Sequence, residues 1–250
     1  MSGMDKYRAM AVLLAVLLPL SLWPEPATPE VPREVPAAVL SQPDPAVLGT
    51  RQVRAPQVER FRVETLSRKQ ILALEKLYGT DPPVPYQDLR MVRVVHRDFF
   101  GGENNGYLTV HHQVAEEIRE IFLELYQEGY PLEKVRPLEE YAGKDDASMS
   151  DNNSSAFCVR PVTGGTGYSL HSYGVAVDIN PLMNPYVKGE TVLPAEAAGY
   201  VQRDSVKPGM IVPGDACHRA FVSRGWIWGG DWNSLKDYQH FEKPFAGGQP

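Results

Sequence analysis

Two histidines and two aspartates sit in short stretches that could carry chemistry. The first stretch is Ser169-Leu-His-Ser-Tyr-Gly-Val-Ala-Val-Asp178. Val175, Val177 and Ile179 alternate with Ala176 and Asp178, as in a strand packed on one face, so Asp178 points away from the apolar side beside a small neighbour. His171 lies seven residues earlier, across Gly174, where the backbone can turn sharply. A loop histidine feeding a strand that carries an aspartate can place imidazole and carboxylate around one metal ion, or simply form a structural hydrogen bond. The second stretch, residues 225–242, reads GWIWGGDWNSLKDYQHFE and holds three of the four tryptophans. Here His240 reads as an inward position at a strand start and Asp237 as part of the turn leading into it. His171, Asp178 and His240 together make a two-histidine, one-carboxylate set with one position left for water, which is what catalytic zinc requires. The metal lowers the pKa of that water and a nearby carboxylate takes its proton. Asp237 is the first choice for that base. Glu242, on the same strand face as His240, is the rival, or else a surface charge.

The elements that must position these groups can be read coarsely. Ser67 to Gln70 forms a capping box opening a helix that runs to about Tyr78 and stops at Gly79. Leu89–His96 and Tyr107–Val110 have strand composition, separated by the turn-rich Gly101–Gly106. From about His112 to Glu128, Val114, Ile118, Ile121, Phe122 and Leu125 fall on one helical face, and Gly129 ends the helix. Further strands are expected at Ala156–Arg160, Val175–Ile179 and Tyr238–Glu242. The pattern predicts an α+β fold, a small antiparallel sheet with flanking helices. The pairs Asp145/Asp146 and Asn152/Asn153 read as turn chemistry or as cleft-shaping groups. His96, His111, His112 and His218 read as exposed or satisfied in the core.

Composition bounds the rest. The 250 residues are 43% hydrophobic and 22% charged, with net charge −6 and no basic block, which argues against a nucleic-acid partner. Lys6 and Arg8 precede the uncharged, apolar Ala9–Trp23, the pattern of an export signal and short for a membrane span. Residues 1–27 are therefore read as a signal peptide or N-terminal anchor. Eight of the 22 prolines lie between Pro24 and Pro56, so residues 28–57 read as an extended linker and residues 58–250 as the folded domain. In an exported chain the two cysteines, Cys158 and Cys217, suggest a disulfide, or else two separate buried thiols. A third use, Cys158 as nucleophile with His171 as base, conflicts with the apolar setting Ala-Phe-Cys-Val, which raises a thiol pKa.

The spacing S-x-H-x-x-G-x-A-x-D at Ser169–Asp178, with D-x-x-H at Asp237–His240, resembles the zinc-dependent D-Ala-D-Ala carboxypeptidases and related peptidoglycan peptidases of family M15. The glycine and tryptophan run before Asp237 is similar to the L-alanyl-D-glutamate peptidase branch. The resemblance spans most of Leu89–Glu242. It implies one zinc ion on His171, Asp178 and His240, Asp237 as the catalytic carboxylate, Arg160 as the arginine that grips substrate and steadies the transition state, and Ser169 as a substrate contact. It also implies the small fold shared with the hedgehog signalling domain, and a peptidase of the cell envelope or periplasm acting as a monomer on stem peptides. In that reading the membrane is met only through an uncleaved N-terminus. A non-catalytic, zinc-bound envelope module of the same fold is the alternative.

Overall fold

The computed structural model describes residues 59–245, so the expected signal segment and proline-rich linker lie outside the described residues. The first sheet is antiparallel, with β1 (Arg62–Thr65), β2 (Leu89–Arg97) and β3 (Glu103–His111) in that order. Between β1 and β2 runs helix α1 (Arg68–Tyr78). Its capping box is complete, Ser67 accepting from the Gln70 backbone and Gln70 reaching back to the Ser67 N–H. After β3 the chain enters helix α2 (His112–Glu128), closed by Gly129 in the left-handed conformation. Its expected apolar stripe is buried to the last residue, packing Ile118, Ile121, Phe122 and Leu125 against Val92, Val94, Leu108 and Val110 of the sheet. Helix α1 covers the opposite side through Ile71 and Leu74, which meet Leu89, Met91 and Phe157. Because both faces of β2 are covered, its burial is near continuous rather than alternating.

Beyond α2 the elements are short: β4 (Lys134–Val135) pairs in parallel with β5 (Asn153–Ser154), and helix α3 (Asp145–Ser150) lies between them in sequence. Next come β6 (Ala176–Asp178), β7 (Tyr186–Lys188), β8 (Thr191–Leu193), helix α4 (Ala216–Val222), β9 (Ile227–Trp228), β10 (Lys236–Asp237) and β11 (His240–Glu242). They make two more three-stranded antiparallel sheets, β6-β11-β9 and β10-β7-β8. The class is α+β as expected, but the strands belong to several small sheets rather than one. Among the described residues no helix is long and apolar enough to cross a membrane.

Three local expectations are corrected. Strand β3 begins at Glu103, inside the stretch read as a turn, because Asp98 already closes that turn by accepting from the Phe100 and Gly102 N–H groups. Residues 156–160 form no regular strand. Their N–H groups are shared among partners, Phe157 donating to Thr109 and Cys158 to His171, so no single ladder develops. Asp237 sits in β10, paired to Tyr186, rather than in a free turn.

Candidate metal centre

The centre is built where β6 and β11 pair. Asp178 and His240 are directly opposed in the register, and Ala176 opposes Glu242, so all four project on one face. The residues between them turn inward: Val177 and Phe241 are fully buried, with Phe241 stacked on Phe221 at 4.1 Å between centroids. That alternation of a packed back and a polar front aims the carboxylate and the imidazole. His171 arrives from a 3₁₀ turn, Leu170–Tyr173, capped by Ser169, whose hydroxyl accepts from the His171 N–H. Gly174 closes the turn at φ +70°, and its carbonyl accepts from His111 of β3. A Cβ there would lie 2.7 Å from the His111 nitrogen. Gly174→Ala is therefore expected to cost at least the left-handed penalty of about 1–2 kcal/mol, measured by denaturant unfolding, and to displace His171.

The ligand atoms converge. His171 Nε2 lies 3.1 Å from His240 Nδ1 and 3.2 Å from Asp178 Oδ2, while His240 Nδ1 is 3.1 Å from Asp178 Oδ1. All three residues are buried. Ligands at zinc–nitrogen distances of 2.0–2.1 Å around a tetrahedron stand about 3.3 Å apart, so the triangle has the right size. The donors also face inward. His171 Nδ1 can only donate to the Ala156 carbonyl, which leaves a lone pair on Nε2. On the other ring, Nε2 of His240 faces a Glu242 carboxylate oxygen at 3.0 Å, leaving Nδ1 as the inward acceptor. The two imidazoles thus turn their remaining nitrogens toward each other beside a carboxylate, an arrangement that favours positive charge at its centre. The electrostatics agree: burial alone would raise the Asp178 carboxyl, yet the two imidazoles hold it well below the usual range. Burial likewise opposes charge on His240, but its carboxylate neighbours outweigh that and raise it to about 10.

Asp237 lies beside this triangle, where it feels the charges of His240, Asp178 and His171. Its Oδ1 is sealed from solvent without a hydrogen-bond partner, and burial raises the carboxyl to about 6. Gly229 makes room for it, since a Cβ there would meet the Asp237 carbonyl oxygen at 2.6 Å and its Cβ at 2.9 Å. Arg160 comes from the irregular segment after β5. Its Nε pairs with Asp145 Oδ2 at 2.8 Å, and its backbone is held to the His171 turn by Ser172, whose hydroxyl accepts from the Arg160 N–H and donates to its carbonyl.

Ser172 was missed in the sequence as part of the site, and Asp145, weighed there as turn or cleft chemistry, was not recognised as the partner of Arg160. Nothing in their spacing marks them, because each acts across a long loop. Trp232, whose ring lies 5.4 Å from that of His240, could have been suspected from the tryptophan cluster. Asn152 serves a turn, at φ +51° and accepting from Leu182, whereas Asn153 lies in β5 and bonds both polar groups of the Arg136 backbone beyond β4. His96, His111, His112 and His218 all have local partners away from the triangle.

The expected disulfide is corrected: Cys158 and Cys217 are free, buried thiols. They sit in different surroundings, Cys158 near Tyr78 and Cys217 near Tyr130. Burial, reinforced by Asp145, pushes the Cys158 thiol up to about 12, which disfavours a thiolate nucleophile.

Residues 163–243 match the sequence model of an M15 peptidase family described as D-alanyl-D-alanine carboxypeptidase. The matched stretch contains Ser169, His171, Asp178, Asp237 and His240, and begins after Arg160. No curated protein and no solved structure gives a match.

Proposed function

We propose, on the premise that residues 163–243 are an M15 peptidase stretch, that this chain is a zinc-dependent hydrolase of peptidoglycan stem peptides. The bond cut would be D-Ala-D-Ala at a terminus or L-Ala-D-Glu within the stem. The observation that carries the reading is the triangle of inward-facing acceptors on His171, Asp178 and His240. These three residues would hold one zinc ion, which when bound supplies a Lewis acid for the scissile carbonyl and lowers the pKa of water.

The chain's own residues do the rest. Asp237 accepts the proton of the attacking water and returns it to the leaving amine; its Oδ1 carries no competing hydrogen bond. Arg160 is held through Nε by Asp145, and its terminal N–H groups would steady the oxygen on which negative charge develops. Ser169 sits between Arg160 and His171, its backbone N–H donating to the Arg160 carbonyl, and would bring the substrate backbone against the His171 turn. An N-terminal export signal followed by a linker would carry a monomeric, hedgehog-like domain to a polymer outside the cytoplasmic membrane.

Digestion of purified peptidoglycan, with new termini identified by mass spectrometry before and after chelation, tests this reading. New termini that disappear in chelator are expected. Full activity in chelator would overturn the zinc mechanism, and no new termini in any metal state would favour the non-catalytic envelope module. In the same assay Arg160→Lys is expected to lower kcat/KM by about 10–100-fold, because an ammonium cannot keep Asp145 and also present a planar fork to substrate.

A further inference from the structure

Glu242 was weighed in the sequence as a rival to Asp237, yet its geometry suits a different task. Its Oε2 lies 3.0 Å from Nε2 of His240, whereas the metal triangle is formed by Nδ1 of the same ring. These nitrogens are separated by a ring carbon and direct their bonds away from each other. The carboxylate therefore sits behind the imidazole rather than in front of it. Residues two apart in a strand share a face, so β11 itself holds Glu242 in register with His240. Across the pair the opposing residue is Ala176, whose small side chain leaves space for the glutamate to fold back onto the ring.

We propose that Glu242 is the positioning residue of the metal centre: it fixes His240 in the Nε2–H tautomer, aims Nδ1 at the ion and raises its basicity. Partners of this kind behind a ligating histidine typically change metal affinity by about 10–100-fold. His171 has a weaker counterpart, the neutral Ala156 carbonyl on its Nδ1. The two histidines are thus supported unequally, and His240 carries the charged support.

This inference rests on the metal reading above, and a direct zinc-binding measurement separates the two. The full chain is stripped of metal and titrated with zinc against a chromophoric chelator, as wild type, Glu242→Ala, Glu242→Gln and Asp237→Ala. Wild type is expected to bind one zinc ion. Glu242→Ala should bind about 10–100-fold more weakly, with the metal-free protein still unfolding as one cooperative unit. Glu242→Gln keeps an acceptor for Nε2–H without the charge and should fall between. Asp237→Ala removes a neighbouring charge but no ligand and no partner of the His240 ring, so it should weaken binding less than Glu242→Ala does. Equal zinc affinity in wild type and both Glu242 variants would overturn the positioning role while leaving the metal reading intact. A wild type that binds no zinc would overturn both. Should Glu242→Ala fail to fold, the near-isosteric Glu242→Gln decides alone.

Discussion

On the proposed function, Asp237→Asn is expected to lower kcat on stem peptides by about 10²–10⁴-fold while the protein still folds and loads with zinc. Asparagine fills the same space beside Gly229 but has no lone-pair charge to accept a proton from water. The pH profile carries the sharper signature. Burial raises the Asp237 carboxyl to about 6, so a growing fraction is protonated as pH falls through that value. A protonated carboxyl cannot act as base, and wild-type activity should therefore decline on the acid side. A cation bound by the neighbouring triangle favours the ionised form and moves this limb to pH 6 or below. In Asp237→Asn the limb should vanish from whatever activity persists. A variant that keeps wild-type kcat, or the same acid limb, would remove Asp237 from the proton transfer.

On the proposed function, His171→Ala is expected to abolish activity and to remove the stabilisation that a bound zinc ion would confer. An ion that binds the folded chain and not the unfolded one, at a thousandfold excess over its dissociation constant, would add about 4 kcal/mol. For a domain of this size that corresponds to a rise in Tm on the order of 10 °C. Wild type should show this shift between stripped and zinc-loaded protein by calorimetry, whereas His171→Ala should show little or none. The variant should also melt lower than stripped wild type. Asp178 is buried and relies on the two imidazoles to keep its charge, so losing one leaves that charge poorly compensated. An undiminished zinc-induced shift in His171→Ala would mean that the ion binds elsewhere.

Much of this was legible from residue order alone, because it depends on neighbours in the chain. The capping box at Ser67 and Gln70, the stripe of α2 from Val114 to Leu125 and its stop at Gly129 all follow from local backbone preference and helical period. The alternation around Asp178 is equally local, and it placed this carboxylate on the polar face of β6. Residue type and spacing also drew His171 and His240 together with Asp178, as a two-histidine, one-carboxylate set.

Only the tertiary structure decided how the site is completed. Asp145 reaches Arg160 from a short helix fifteen residues away in sequence, and no periodicity links the two. Ser172 ties the Arg160 segment to the His171 turn by hydrogen bonds whose partners cannot be inferred from order. The same is true of the cysteines: an even count permits a bridge, but Cys158 and Cys217 pack against Tyr78 and Tyr130 respectively. Glu242 shows the boundary between the two kinds of information. Two-residue spacing puts it on the face of His240, but only packing across from Ala176 determines that it stands behind the ring instead of beside the water. Short-range preferences set which way a side chain faces, whereas long-range packing and hydrogen bonding choose what it meets there.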